Sequence, residues 1–150
     1  MPFDAQACLV IAIGSNPVRA EIARSLEGQV NWVSIVDPQA QVSVRASIQM
    51  GSVVLAGAVV QADAKIGRHT ILNTRCCVDH DVEIADFCHV GPGAILTGGV
   101  VLEEGVFIGA GAVVLPGVRI GAWTTLGAGS VATRNLSSAQ VYVGSPARLR

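Results

Sequence analysis

The chain has 150 residues, of which 51% are hydrophobic, 14% charged and 4% aromatic, with 17 glycines and a formal net charge of −1. A composition this apolar and this close to neutral excludes a disordered chain, and it lacks the positive field that nucleic acid or an anionic membrane surface would need. With so few rings the core must be filled by Val, Ile, Leu and Ala, which suits many thin layers better than one bulky centre.

Near the start, the apolar run Ala7 to Ile13 is far shorter than the roughly 18–20 residues of a membrane span. Asp4 precedes it and no Lys or Arg does, which is not the pattern of a signal peptide. The expectation is a soluble, cytoplasmic protein with neither nucleic acid nor membrane as a partner. Within the run, residues 9–13 (LVIAI) predict a buried strand. Gly14-Ser15-Asn16-Pro17 then turns the chain into a helix over Val18 to Leu26, with Arg19, Glu21 and Arg24 on its polar side and Val18, Ile22 and Leu26 on the other. Asn31 to Val36 predicts another strand, ended by Asp37-Pro38. Residues 1–38 therefore read as a βαβ fragment, too small to be a nucleotide-binding domain of its own.

From Val42 the chain repeats every six residues. Fifteen consecutive hexads, from Val42, Ile48 and Val54 to Ile120 and Leu126, each begin with Val, Ile or Leu, and the fifth position is always small or β-branched. A period of six fits neither the 3.6 of a helix nor simple alternation. It predicts short strands joined by turns, with one aliphatic side chain and one small one directed inward. Thirteen of the fourteen glycines in this stretch fall at hexad position two or four, where positive φ is expected. Three strands close an eighteen-residue triangular coil, so residues 39–132 predict a β-solenoid of about five coils. Residues 133–150 lose the hexad and are expected to cap the last coil.

Stacking residues in columns eighteen apart isolates candidate chemistry. His80 and Asp81 stand one coil before Gly98 and Gly99. A second column runs Asn73, Gly91, Gly109, Gly127, with Thr74, Pro92, Ala110 and Ala128 beside it. Such columns form a shallow groove with exposed backbone N–H groups, suited to a long, thin ligand such as a pantetheine arm. At hexad position four, five consecutive repeats replace glycine with Asp63, His69, Arg75, Asp81 and Phe87, which reads as a polar belt with His69 in a surface turn. Cys8, Cys76, Cys77 and Cys88 form no C-x-x-C pair and no metal set, and are read as reduced packing residues.

The hexads resemble those of the hexapeptide-repeat acyltransferases. That resemblance implies a mostly β fold, a left-handed parallel β-helix, and assembly as a homotrimer. The segment LNTRCCVDHDVEIADFCHVGPGAIL, residues 72–96, and the tail Val143-Gly-Ser-Pro-Ala-Arg148 resemble the sialic acid O-acetyltransferase and bacillosamine-type sugar N-acetyltransferase branch. The resemblance implies acetyl-CoA as co-substrate and His80 as general base supported by Asp81. It also implies acetyl-CoA contacts at His89 and at the backbone of Ala110 and Ala128, with Arg148 of the closing motif meeting the CoA phosphates. Chemically, a histidine suits acetyl transfer to an amine or hydroxyl at neutral pH, Gly98 N–H is a candidate oxyanion donor, and no covalent acetyl-enzyme is needed.

Family members begin with a complete small αβ domain that holds a nucleotide-sugar acceptor, whereas this chain starts near the middle of that domain. It also carries Asp37-Pro38 where the family has His-Pro. Either the acceptor is smaller, or the fragment binds part of a sugar nucleotide through Gly14 and Asn16, with Asn73 also on the substrate side; a plain helix-entry turn is the alternative for Gly14 and Asn16. His80 and His89 lie nine residues apart, half a coil, on a perimeter whose side is nearly 20 Å before its turns contract it. Serving one site, His80 of one subunit must face His89 of the next, which predicts an oligomer. Two other readings compete: a non-catalytic β-helical binding or assembly protein, and a zinc hydratase of the γ-carbonic-anhydrase type, whose histidine spacing this chain does not reproduce.

Overall fold

In the computed structural model, which describes residues 8–150, each hexad becomes a two-residue strand followed by a turn. The first coil is built from β3 (Ile35–Val36), β4 (Gln41–Val42) and β5 (Ser47–Ile48). Each strand pairs in parallel with the one eighteen residues on, as in Ile35↔Val53, Gln41↔Val59 and Ser47↔Lys65. Three parallel sheets result, one per face of a triangular prism. The coiling continues to Ala132 and, through the bridge Ile120↔Leu136, to about six turns instead of five. This parallel β-solenoid is consistent with the left-handed β-helix that the resemblance implies.

The interior follows the hexad. First-position residues such as Val54, Leu72, Val90, Ile108 and Leu126 are fully buried, as are fifth-position Ala58, Cys76, Cys88, Ala112 and Thr124. Stacked aliphatic and small side chains thus fill a narrow shaft without rings, which accounts for the composition.

The two kinds of turn glycine have different causes, and here the sequence expectation needs correcting. At position four every residue from Gly51 to Gly129 has positive φ, including the non-glycines Asp63, His69, Arg75, Asp81, Phe87 and Trp123. At position two none does; those glycines make room for the next coil instead. A Cβ on Gly91 would lie 2.6 Å from Ile108 O, and one on Gly109 would lie 2.6 Å from Gly127 C.

The N-terminal unit consists of β1 (Cys8–Leu9), α1 (Asn16–Ser25) and β2 (Asn31–Trp32), with β1 and β2 parallel. The strand expected over residues 31–36 therefore divides: Asn31–Trp32 pairs with β1, and Ile35–Val36 starts the solenoid. The helix also faces the other way from expectation. Arg19 is 1% exposed and Val18 43%, because the helix lies against a solenoid corner rich in unpaired carbonyl groups. Ala20 and Ala23 on the same face allow close approach, and with Ile11, Trp32 and Phe87 they form a second small core.

At the other end Val141–Val143 continues one sheet beside Thr125–Leu126, two residues short of the coil repeat, and Arg148–Leu149 folds back antiparallel to it. Leu136, Tyr142 and Ala147 close the shaft. Among the described residues no helix is long and apolar enough to cross a membrane.

Candidate active site

His80 stands in the turn after strand Cys77–Val78, at the corner between the second and third faces. Its Nδ1 is 2.8 Å from Asp81 Oδ2, and its backbone N–H donates to Asp79 Oδ1 at 2.8 Å. The Asp81 carboxylate accepts a hydrogen bond from Nδ1–H, which leaves Nε2 as the free, basic nitrogen. That hydrogen bond, and next the charge of Asp79, raises the His80 pKa above the ordinary imidazole value. The ring lies over Gly98, where a Cβ would fall 2.7 Å from His80 Cε1. Gly98 accepts from Gly117 N–H through its carbonyl, while its own N–H finds no acceptor among the described residues. His80, Asp81 and Gly98 therefore share one corner.

His89 opens strand His89–Val90 on the first face and is 9% exposed. Nδ1 lies 3.3 Å from Gly14 O, Nε2 lies 3.0 Å from Asn73 Nδ2, and the ring meets Phe107 edge-on at 5.1 Å between centroids. Burial lowers its pKa, against the raising effect of the Gly14 carbonyl. Gly14, Asn73 and His89, scattered in sequence, thus form a second cluster. Nothing joins it to His80 among the described hydrogen bonds, and the two histidines occupy different parts of the perimeter.

Asn16 does not present a free amide. It is 4% exposed; its Nδ2 donates to Gly105 O and Val106 O at 3.1 Å each, and its Oδ1 accepts from Arg19 Nη2 at 2.8 Å. Arg19 also donates to His69 O, Ile13 O, Gly14 O, Phe87 O and Cys88 O. Asn16 and Arg19 thus bolt the helix to three successive coils. Burial lowers the Arg19 pKa to about 10.

The expectation of a polar belt fails because position four alternates among three corners. Asp63 and Asp81 share one corner, Arg75 another, and His69, Phe87 and Trp123 the third. His69 is 1% exposed, not a surface turn. Its ring stacks on Phe87 at 5.4 Å, meets Trp32 edge-on at 4.6 Å and fills the space over Gly51, with neither nitrogen hydrogen-bonded.

Ala110 and Ala128 are exposed one coil apart. Their carbonyl column is paired through Gly129 N–H to Ala110 O at 2.8 Å, but their own N–H groups find no acceptor among the described residues. With glycine at positions 91, 109 and 127, this corner has the open backbone donors that a pantetheine arm could use. Arg148 lies on the exposed C-terminal hairpin, where its Nη1 donates to Ala147 O at 3.1 Å. Arg119 pairs with Glu103 at 3.3 Å. Burial pushes the thiols of Cys76 and Cys88 up to about 12, and burial with the Asp79 charge raises that of Cys77, so none is an activated nucleophile. Among the described residues no group of three His, Cys, Asp or Glu side chains is placed to hold a metal ion.

Residues 99–134 match the family model described as bacterial transferase hexapeptide (six repeats). The perosamine N-acetyltransferase of Caulobacter crescentus, solved in complex with CoA and GDP-perosamine, is 39% identical over 96% of this chain and 69% of its own, with a TM-score of 0.94. The chain belongs to the bacterial hexapeptide-repeat transferases. The acetyltransferase domain of PglB from Neisseria gonorrhoeae FA1090, solved with acetyl coenzyme A, is 34% identical over 94% of this chain and 69% of that domain's chain, with a TM-score of 0.92. A GDP-perosamine N-acetyltransferase of Escherichia coli O157:H7 is 32% identical over 99 residues, 65% of this chain. That match spans 44% of the Escherichia coli protein, less than half its length.

Within this hexapeptide-repeat transferase, sequence reasoning missed the buried role of Arg19, which it placed on the polar side of the helix, the hold of Thr74 N–H on Asn73, and the cleft of about 310 Å³ beside His89, which is lined by Gly14, Pro17, Phe107, Trp123 and Thr125 among others. Column reading at position four held a signal for Trp123: its ring lies over Gly105, one coil earlier, as His69 lies over Gly51. No periodic signal marks Arg19, because its partners other than Asn16 Oδ1 are backbone carbonyls.

Proposed function

We propose that this protein transfers the acetyl group of acetyl-CoA to the amine of an amino sugar carried on a nucleotide, by direct attack with His80 as general base. The observation that carries this reading is the His80 corner: a basic Nε2, fixed through Nδ1 by Asp81, above a backbone N–H with no partner. The amine nitrogen bonds to the thioester carbon while His80 Nε2 takes the amine proton. The negative charge on the carbonyl oxygen is met by Gly98 N–H. The C–S bond then breaks and the CoA sulfur leaves, accepting the proton from His80. Nitrogen is preferred over oxygen as the nucleophile because two of the relatives compared above are perosamine N-acetyltransferases by name.

Acetyl-CoA fits the corner of Ala110 and Ala128, whose free N–H groups match the amide carbonyls of pantetheine, with Arg148 as the phosphate contact. The cleft beside His89 is the acceptor side, entered past Gly14, while the amides of Asn16 and Asn73 are both already engaged within the protein and shape the site without binding the acceptor directly. The oligomer is a homotrimer. Its contact is the second face, where the outward column Val59, Cys77, Ile95, Val113 and Val131 is entirely apolar, in contrast to Lys65, Glu83 and Arg119 on the third. Assembly brings His80 of one subunit toward the His89 face of the next, which reconciles two clusters that a single chain keeps apart.

The test combines CoA titration calorimetry with thiol release across amino-sugar nucleotides, free amino sugars and sialic acids. His80→Ala is expected to leave CoA affinity near normal and to cut turnover about 10²-fold or more. Unchanged turnover would refute His80 as the base.

A further inference from the structure

The hydrogen bonds around His89 determine which ring nitrogen carries its proton. Thr74 N–H donates to Asn73 Oδ1 at 2.8 Å, which engages the carbonyl end of that amide and turns its Nδ2 toward His89 Nε2 at 3.0 Å. An amide NH₂ only donates, so Nε2 must present its lone pair. At the other edge of the ring, Nδ1 faces Gly14 O at 3.3 Å. A carbonyl oxygen only accepts, so Nδ1 must carry the proton. Two flanking groups from different parts of the chain thus select the same tautomer. Reversing the Asn73 amide would set donor against donor at Thr74.

The Gly14 bond is at the long end of the N–H···O range. Its carbonyl also accepts from Arg19 Nη1 at 3.4 Å, with Ile13 O taking the same nitrogen at 2.9 Å. The Nδ1 proton can therefore move to a stronger acceptor without leaving the Gly14 carbonyl without a donor.

Resting on the acetyl-transfer reading, we propose that Asn73 is a positioning residue: it locks His89 in the Nδ1–H tautomer, making Nδ1 a standing hydrogen-bond donor for a carbonyl oxygen of the bound ligand. In the other tautomer the same nitrogen would present a lone pair and repel that oxygen. Asn73 acts through His89 and touches no reacting atom.

The test reads the tautomer directly. The chain has three histidines, His69, His80 and His89, so long-range ¹H–¹⁵N correlation spectra of ¹⁵N-labelled protein, with His89→Gln for assignment, isolate the ring. Expected at neutral pH is a pyrrole-type Nδ1 and a pyridine-type Nε2. Asn73→Asp replaces the donor with an acceptor and is expected to place a proton on Nε2 and to lower turnover about 10²-fold, with CoA affinity little changed. A wild-type spectrum with the proton on Nε2, an Asn73→Asp spectrum like wild type, or full turnover in that variant would each overturn the proposal. Absence of acetyl transfer by the wild-type protein to any amino sugar would instead sink the catalytic reading, and the spectra would still decide the tautomer lock.

Discussion

At the scale of single residues, the three histidines differ because their surroundings do. His80 is exposed beside two carboxylates, so its protonated form is favoured and its pKa rises. A base works only when neutral, so kcat/KM should fall as pH drops through that raised value. Asp81→Asn removes the largest cause of the rise. The acid limb is then expected to move to lower pH and the plateau rate to fall about tenfold or more, read from a pH profile of kcat/KM; an unmoved limb would remove Asp81 from its supporting role. His69 obeys the opposite sign. Burial lowers its folded pKa, with Arg68 acting in the same direction and Asp86 and Glu27 opposing. The unfolded chain therefore takes up the proton first, and stability held above about pH 6.5 declines as pH falls through that value. His69→Phe keeps the ring stack, removes two buried nitrogens that have no partner, and places at this corner a residue that position 87 already accommodates at positive φ. Thermal melts should show no loss at pH 7.5 and a shallower decline toward pH 5. Some decline should persist, because the His89 pKa is also lowered by burial.

Elements are where the sequence is most and least legible. The hexad dictates its own strand, turn and face at every step, because one inward aliphatic and one small residue per six leave the chain no other register. The eighteen-residue columns accordingly set His80 against Gly98 from the sequence alone. The N-terminal unit has no such period. Amphipathic reasoning assigns Arg19 to water, yet the ends of solenoid turns offer a cluster of carbonyl oxygens that a guanidinium can satisfy with five donors in a plane. That partner has no side-chain signature. Likewise, rings at positive φ, which cost about 1–3 kcal/mol each, are placed at one corner to form the seat for Trp32 and the helix. The polar contacts that join helix and solenoid are mainly those of Arg19 and Asn16, since the ion pairs Arg24–Glu104 and Arg68–Glu27 are exposed and of little net value. Arg19→Ala should therefore cost about 3–5 kcal/mol in docking of the unit. Limited proteolysis with mass mapping is expected to show cleavage within residues 8–34 while residues 35–150 resist. Equal resistance of the two parts would mean that the apolar seat alone suffices.

At the scale of the whole molecule, the three faces of the prism are unequal, and that inequality bears on function. The third face carries Lys65, Glu83 and Arg119 in ion pairs along and between its rungs, with Lys65 Nζ 2.8 Å from Glu83 Oε1. The first face is partly covered by the N-terminal unit through His89 and Gly14. Among the described residues, only the second offers an uncovered, uncharged column, from Val59 to Val131, in which Ile95 is 40% exposed. A stripe of this kind is a surface that monomers rarely leave in water. Ile95→Arg sets a charge at its middle, where burial against another copy would strand it without a partner. Light scattering after gel filtration is expected to give three chains for the wild type and one for the variant. Far-UV circular dichroism should be unchanged, because Ile95 points out of the shaft that holds the fold together. If each site takes His80 from one subunit and His89 from the next, as proposed above, acetyl transfer should fall with the mass and recover in part at protein concentrations that force reassociation. A monomeric variant with full activity would place the whole reaction on one chain and leave the apolar face to serve assembly alone.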